Sequence, residues 1–178
     1  MSDRIELSEP MQQFILHWGE MGTRWGINRT VAQIYALLFI SARPLHAEQI
    51  RATLAVARST ISTGLRELQG WGLIQVVHVL GDRRDHFEAL KDVWETFRVV
   101  LDERKRREMD PTLKVLRATS EAIGARSADE VHAKEQIEAM LEFFEMLGRV
   151  YQQMQTLDSA TLKRIGRTSN LFARLRGG

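Results

Sequence analysis

The chain has 178 residues, a formal net charge of +2, 44% hydrophobic residues and 27% charged residues, a balance that suits one packed domain with an additional helical region. It contains no cysteine, which excludes disulfide bonds, thiolate metal sites and thiol redox chemistry. Charges interrupt the first ten positions, and no apolar run approaches the roughly 20 residues of a membrane span. These features predict a cytoplasmic protein without a membrane partner.

The first 42 residues predict two helices. Apolar side chains recur at helical spacing over about residues 10–25: Phe14, Trp18, Met21 and Trp25. Gly26 is expected to end this helix and Asn28 to cap the next one. The second helix should continue to about residue 42, because Pro44 disfavours helical backbone just before it.

A pair of helices and a hairpin are expected next. The helices are predicted at Ala47–Leu54 and about Arg58–Gly70, with a turn at residues 55–57 between them and Gly72 as the turn residue after them. Gly64 is expected to permit close approach to a neighbouring helix. A short run rich in β-branched and apolar residues, 74–80, is followed by the charged turn 81–85 and a second short extended run, 86–89, which predicts a β-hairpin with an arginine-bearing tip.

The order of helices followed by a hairpin over residues 29–91 is typical of a winged helix-turn-helix. In this motif the second helix of the pair enters the major groove of DNA, so it needs one apolar and one polar face. Ile61, Leu65 and Leu68 form the apolar stripe. The opposite face carries short hydroxyl and basic side chains suited to base edges and phosphates: Arg58, Ser59, Thr60, Ser62, Thr63 and Arg66.

The hairpin tip completes the predicted DNA-binding set. Arg83 and Arg84 suit a minor groove or flanking phosphates. Asp82 and Asp85 lie in the same turn, which leaves open the alternative that they hold the arginines locally. A serine- and threonine-rich helix face can likewise be merely solvated.

After Leu90 the pattern is helical. Asp92 with Glu95, and Ser127 with Glu130, have capping-box spacing. Asp110 before Pro111 predicts an N-cap and a kink or restart. The helix after Ser127 carries apolar residues spaced alternately by three and four, as in a coiled-coil seam: Ile137, Met140 or Leu141, Phe144, Leu147, Tyr151 and Met154. A last helix near Ala160–Leu175 holds a basic cluster whose role stays open.

These motifs resemble a known family. The stretch HAEQIRATLAVARSTISTGLRELQGWGLI (residues 46–74) resembles the helix-turn-helix of MarR-type regulators, and Asp82-Arg83-Arg84 resembles that family's Asp-x-Arg wing motif. The segment WGEMGTRWGINRTVAQIYALLFIS (residues 18–41) is similar to the GbsR branch, named for glycine betaine synthesis. The resemblance covers about residues 10–125. One departure is His46, which stands where the family usually has a serine or threonine cap, so the argument for a cap at this position is weaker.

The resemblance implies a homodimeric repressor or activator with its interface in the N- and C-terminal helices. The expected domains are an N-terminal helix contributing to dimerisation (1–28), a winged helix-turn-helix (29–91), and a helical dimerisation region with a basic C-terminal helix (92–178). The fold class is therefore mainly α with a small β-hairpin wing.

Aromatic residues supply a candidate ligand site: Trp18, Trp25, Tyr35 and Trp94. Aromatic cages hold quaternary ammonium groups by cation–π attraction; the alternative is that these rings pack helices together. The five histidines lack metal-ligand spacing, and no phosphate loop or nucleophile motif occurs. The sequence therefore predicts neither an enzyme nor a cofactor or metal.

The predicted function is a sequence-specific DNA-binding transcription regulator that acts as a homodimer on a pseudo-palindromic operator and responds to a small molecule. The alternative is a winged-helix module that docks proteins without binding DNA. Such a module would need an acidic or apolar face where this chain has Ser59, Thr63 and Arg66.

Overall fold

The computed structural model describes residues 4–124, 126–158, 160, 161 and 164. The chain divides into two compact units, residues 1–99 and residues 100–178. Within the described ranges, no helix is both long enough and apolar enough to cross a membrane.

The first unit contains the predicted helices and hairpin in the predicted order: α1 (Glu9–Arg24), α2 (Arg29–Ile40), β1 (Leu45–His46), α3 (Ala47–Leu54), α4 (Arg58–Gly70), β2 (Ile74–Val77) and β3 (His86–Ala89). Asn28 caps α2 as expected, because its Oδ1 accepts the backbone N–H groups of Thr30 (2.9 Å) and Val31 (3.3 Å). Gly72 turns the chain after α4 with a φ of +73°, a conformation that glycine adopts without strain.

Helix α2 forms the centre of this unit. Ile34, Ala36 and Leu37 are completely buried, and α1, α3, α4 and β3 all contact α2. A helix covered on so many sides must be apolar around most of its circumference, which explains the run from Ile34 to Ile40. The winged helix is therefore built around α2, with α4 held against it.

The sheet has three strands where the sequence predicted two. The strand order is β1-β3-β2, all antiparallel, with Leu45 opposite Phe87 and Ile74 opposite Ala89. The first predicted strand was also too long: β2 ends at Val77, and Leu80 is fully exposed. Since Val77 pairs with the first residue of β3, residues 78–80 have no strand opposite them and belong to the wing loop.

The remaining helices are α5 (Val93–Arg104), α6 (Asp110–Ala122) and α7 (Ala128–Gln155), with a π-helical turn at Lys105–Met109 between α5 and α6. Asp92 and Ser127 are N-caps as predicted: Asp92 Oδ1 accepts the Trp94 and Glu95 N–H groups, and Ser127 Oγ accepts that of Glu130. The second half of the capping box differs at Ser127, because the Glu130 carboxylate accepts the Arg126 N–H at 2.7 Å.

The predicted N-cap at Asp110 is wrong. Asp110 already has helical backbone, and its carboxylate pairs with Lys105 Nζ at 2.8 Å. The helix continues through this point because the wider π-helical turn precedes Pro111. Proline has no N–H to donate and its ring crowds the preceding turn of an α-helix. The π-helical turn at Lys105–Met109 is therefore located where Pro111 prevents regular α-helical hydrogen bonding.

The predicted seam of α7 divides into two stripes. Helices α6 and α7 pack together, with Arg117 bound to Glu145 at 2.8 Å and Ser120 to Glu138 at 3.2 Å. One part of the seam is half-buried on α7: Ile137, Leu141, Phe144 and Tyr151. The other part is exposed: Met140, Leu147 and Met154. The predicted last helix, Ala160–Leu175, lies almost entirely outside the described residues.

Candidate nucleic-acid interface

Helices α3 and α4 form a helix-turn-helix. Residues 55–57 connect them, and Ala55 adopts left-handed backbone (φ 54°, ψ 43°) at the end of α3. This conformation reverses the chain in a short span, at some steric cost for a residue with a Cβ. The two helices pack against each other, so α4 is presented at a fixed angle from the core.

Helix α4 has the two faces that the sequence predicted. Ile61, Leu65 and Leu68 are buried, each no more than 3% exposed. Gly64 also faces inward, and a Cβ built on it would lie 2.6 Å from Ile34 Cδ1. The expected close approach to a neighbouring helix is thereby confirmed, and the neighbour is α2. The predicted polar residues are all exposed on the other side: Arg58, Ser59, Thr60, Ser62, Thr63 and Arg66.

A groove of about 410 Å³ runs between α3, α4 and the wing. Its apolar floor includes Ile61, Leu65 and Phe87. Basic side chains line its walls: Arg51, Arg58, Arg66 and Arg84. The acids along it are Glu48 and Asp85, and Glu48 is bound to Arg51. A concave surface with four arginines favours an anionic partner.

Arg51 was not among the residues predicted from the sequence. It lies on α3, and its Nε and Nη2 atoms donate to Glu48 Oε1 at 2.8 and 2.5 Å. The hydrogen bonds from Arg51 lower the pKa of the Glu48 carboxyl. The sequence shows this pair only as an ordinary i, i+3 ion pair; the groove becomes visible once α3, α4 and the wing are assembled.

The two wing arginines differ in their surroundings. Arg84 donates to Asp82 through Nε (2.9 Å), Nη2 (2.5 Å) and its backbone N–H (3.0 Å). These hydrogen bonds hold the pKa of Asp82 well below its usual range. The alternative that an acid of the turn holds an arginine locally is therefore confirmed for Arg84. Arg83 is exposed and forms no ion pair with any described residue.

Two buried histidines join the wing to α3. His46 accepts the Gln49 N–H at Nδ1 and so caps α3, although it replaces the serine or threonine expected at this position. The His46 and His86 rings meet edge to face with centroids 5.5 Å apart. His86 Nδ1 donates to the Arg84 carbonyl at 2.9 Å, and Nε2 lies 3.6 Å from Asp82 Oδ2. The wing tip is thus anchored to the start of the helix-turn-helix.

The candidate aromatic ligand site stays a prediction. Trp18 and Trp25 are partly exposed on α1, whereas Tyr35 is buried. The Tyr35 hydroxyl lies 2.8 Å from Thr96 Oγ1, and burial raises its pKa. None of the four predicted residues, Trp94 included, lines the groove or the smaller pocket beside the N-terminal segment. Within the described residues, no cluster of histidine and carboxylate side chains could hold a metal ion.

This fold and this surface define a winged helix-turn-helix protein. Residues 25–85, about a third of the chain, match the model of the MarR family, so this segment is similar to the winged helix of that family. No curated protein matches the sequence. A solved crystal structure of a transcriptional regulator has the same fold, with a TM-score of 0.62 and 20% identity over 82% of this chain and 95% of that one.

A transcriptional regulator of Thermotoga maritima is also similar, with 16% identity over 84% of this chain and 94% of that chain. Its TM-score is 0.39, too low to support any conclusion about this fold.

Proposed function

We propose that this protein regulates transcription by binding double-stranded DNA as a homodimer on a pseudo-palindromic operator. The observation that carries the proposal is the exposed hydroxyl and arginine face of α4, next to an arginine-lined groove and an arginine-bearing wing. Such a face fits a major groove, where hydroxyls and guanidinium groups meet base edges and phosphates. The cytoplasm is the proposed location, and no catalytic role is proposed.

The proposed DNA-binding residues differ in side-chain length and are therefore assigned different contacts with DNA. Ser59 and Thr63 lie one turn apart on the exposed face of α4, and a helix inserted in the major groove would bring their hydroxyls to base edges. Arg66 reaches further and serves either a guanine edge or a phosphate. Arg83 and Arg84 of the wing are proposed to contact flanking phosphates, which would contribute affinity for all sequences more than discrimination.

The alternative is a docking module that binds proteins and not DNA. It would need an acidic or apolar face on α4, but the exposed residues there are hydroxylic and basic. The charge of the groove walls therefore favours the DNA-binding proposal.

The branch of the family and the response to a small-molecule effector are also part of the proposal. The similarity of residues 18–41 to the GbsR branch supports membership of that branch, and a small-molecule effector would act by changing the spacing of the two DNA-binding lobes. The proposed effector-binding residues are Trp18, Trp25, Tyr35 and Trp94. Because the Tyr35 hydroxyl is bound to Thr96, Tyr35 would offer an effector its ring and not its hydroxyl.

Fluorescence anisotropy with genomic fragments and random duplex tests the proposal. Ser59→Ala, Thr63→Ala and Arg66→Ala should leave the melting temperature nearly unchanged, because exposed substitutions usually alter stability by about 0.5 kcal/mol or less. At least one should lose about 1–3 kcal/mol of preference for the operator over random DNA. Lys114→Ala, an exposed change on α6, is the matched control. If all three variants keep the wild-type preference, α4 does not read DNA.

A further inference from the structure

The wing loop between β2 and β3 contains a tight turn at residues 79–82. The Asp82 N–H donates to the Val79 carbonyl at 3.0 Å, and Gly81 in the third position of the turn has a φ of +85°. A hydrogen bond from the fourth residue to the first, with glycine at positive φ in the third position, is characteristic of a type II β-turn. Leu80 occupies the second position, at the apex of this tip turn.

Leu80 contributes an apolar side chain that the fold does not use. The side chain is fully exposed, and that of its neighbour Val79 is 41% exposed. A type II turn requires glycine in its third position, but nothing in its geometry requires leucine in the second. A single exposed leucine is common on protein surfaces, so the surroundings of Leu80 decide what it can bind.

The tip turn is fixed and lies next to arginines. Arg84 donates to Asp82 through its backbone N–H, its Nε and its Nη2, which holds the turn in place and pairs the one acid within it. Arg83, directly after the turn, is exposed. Leu80 is therefore an apolar side chain held in place beside a positive charge, which suits the negative potential of a DNA minor groove.

The wing also lies beside α4. Arg84 and Asp85 line the same groove as Arg58 and Arg66 of α4. On a duplex, the groove next to a major groove is a minor groove. An α4 helix in a major groove therefore leaves the wing beside the adjoining minor groove.

We propose that Leu80 is an apolar wedge that enters this minor groove and inserts between two base pairs, so that the duplex bends at that step. The proposal rests on the proposed DNA-binding function and adds a deformation of DNA that contacts from α4 and the wing arginines would not produce. Leucine is one of the side chains that minor-groove-binding proteins insert in this way, which partly unstacks the bases and kinks the duplex. The insertion removes the leucine side chain from water, which favours the bent complex.

A wedge at Leu80 selects DNA by its stiffness. Pyrimidine–purine steps such as TA and CA kink at lower cost than other steps. Leu80 therefore favours such a step at a position where α4 makes no contact with a base edge. With two protomers on one operator, the step occurs twice, symmetrically about the centre.

Unstacking and bending can be measured on a short duplex that the wild-type protein selects from a random pool. The fluorescent base 2-aminopurine replaces adenine at successive positions, because its emission rises when the base is unstacked. Dyes at the two ends of the duplex report bending by energy transfer. We expect a symmetric pair of bright positions and a shorter end-to-end distance when the protein binds.

Substitutions at Leu80 test whether this residue causes both effects. Leu80→Ala should keep the wild-type melting temperature, since the side chain is fully exposed. It should weaken binding to the selected duplex about tenfold (roughly 1.4 kcal/mol) and lose the bright pair and the bend. Its salt slope should stay unchanged, because no phosphate contact is removed.

Two further variants serve as controls. Leu80→Met keeps an unbranched apolar side chain of similar size and should retain binding, unstacking and bending. Val115→Ala removes another exposed apolar side chain, 65% exposed on α6, and should match the wild type in every measurement.

Wild-type affinity and bending in Leu80→Ala would overturn the wedge, as would a wild-type complex in which no 2-aminopurine position brightens. A weakened Leu80→Ala variant that still unstacks and bends the duplex would also overturn it, because another group would then open the step. These results leave the proposed function intact, since the wild-type protein still binds the selected duplex. A wild-type protein that selects no duplex would overturn both the wedge and the proposed function.

Discussion

His46 and Gln49 cap helix α3 reciprocally. His46 Nδ1 accepts the Gln49 backbone N–H at 3.3 Å, and Gln49 Oε1 accepts the His46 backbone N–H at 3.2 Å. Two N–H groups that have no partner within the helix are thereby satisfied. Because the same His46 ring contacts His86 in β3, the cap also ties the helix-turn-helix to the wing.

Removing this cap should destabilise the protein. His46→Ala and His46→Asn both lose the ring packing, but only asparagine keeps a side-chain acceptor for the Gln49 N–H. We expect urea denaturation to give an unfolding free energy about 0.5–2 kcal/mol lower for His46→Ala than for His46→Asn. Equal stability of the two variants would show that the cap contributes nothing.

The contact between α4 and α2 leaves no room for a side chain at position 64. Gly64→Ala would bring its Cβ to 2.6 Å from Ile34 Cδ1, and overpacking of this kind typically costs about 1–3 kcal/mol. Gly70→Ala is the matched control on the same helix, because a Cβ there meets nothing within 4 Å. Thermal melts should show a lower Tm for Gly64→Ala alone; an unchanged Tm would mean that α2 yields at no cost.

Lys91 closes the C-terminal end of α2. Its Nζ donates to the carbonyl oxygens of Leu38 (2.9 Å), Phe39 (2.8 Å) and Ser41 (2.9 Å). A cation is favoured at this end of a helix, where carbonyls lack partners. Lys91→Met should lower the unfolding free energy by about 1–3 kcal/mol, measured by urea denaturation. Lys114→Met, exposed on α6, should change it little, and equal losses in both variants would contradict the capping role.

The wing arginines should supply affinity for DNA of any sequence. Arg84→Ala should weaken binding to operator and random DNA alike and reduce the salt slope by about one unit if one phosphate contact is lost; Arg83→Ala should act similarly. Asp82→Asn keeps the charge of Arg84 but weakens its anchor, so it should lower affinity without reducing the slope. Salt titrations by anisotropy measure both quantities. Wild-type binding and slope in the Arg83→Ala, Arg84→Ala double variant would show that the wing does not contact DNA.

Both tyrosines of the chain should titrate above the ordinary range. Burial raises the pKa of Tyr35. Burial, together with the hydrogen bond to Asp102, raises the pKa of Tyr151 to about 12. The folded protein should therefore show little phenolate absorbance at 295 nm at pH 10, where the urea-unfolded protein is about half ionised.

The same shifts predict the direction of the stability change. The folded state favours the neutral phenols, so their contribution is fully present below pH 10 and is lost as the pH rises towards 12. Asp102→Asn should lower the titration point of Tyr151 without moving that of Tyr35. A single titration near pH 10 in the folded protein would contradict both shifts.

The sequence by itself determined the features that depend on local patterns. The order of helices and hairpin follows from the change between helical and strand periodicity. The caps at Asn28 and Ser127, the turn at Gly72 and the two faces of α4 were all readable, since each depends on residues within one or two turns of the chain.

The tertiary structure decided the features that depend on distant partners. A strand of two residues such as Leu45–His46 has no local signature and exists because β3 pairs with it. The capping role of His46 depends on the orientation of its ring, which His86 helps to fix. The division of the α7 seam depends on which stripe α6 covers, and both stripes have nearly the same spacing. Periodicity identifies apolar positions on a helix, whereas only packing decides which of them are buried.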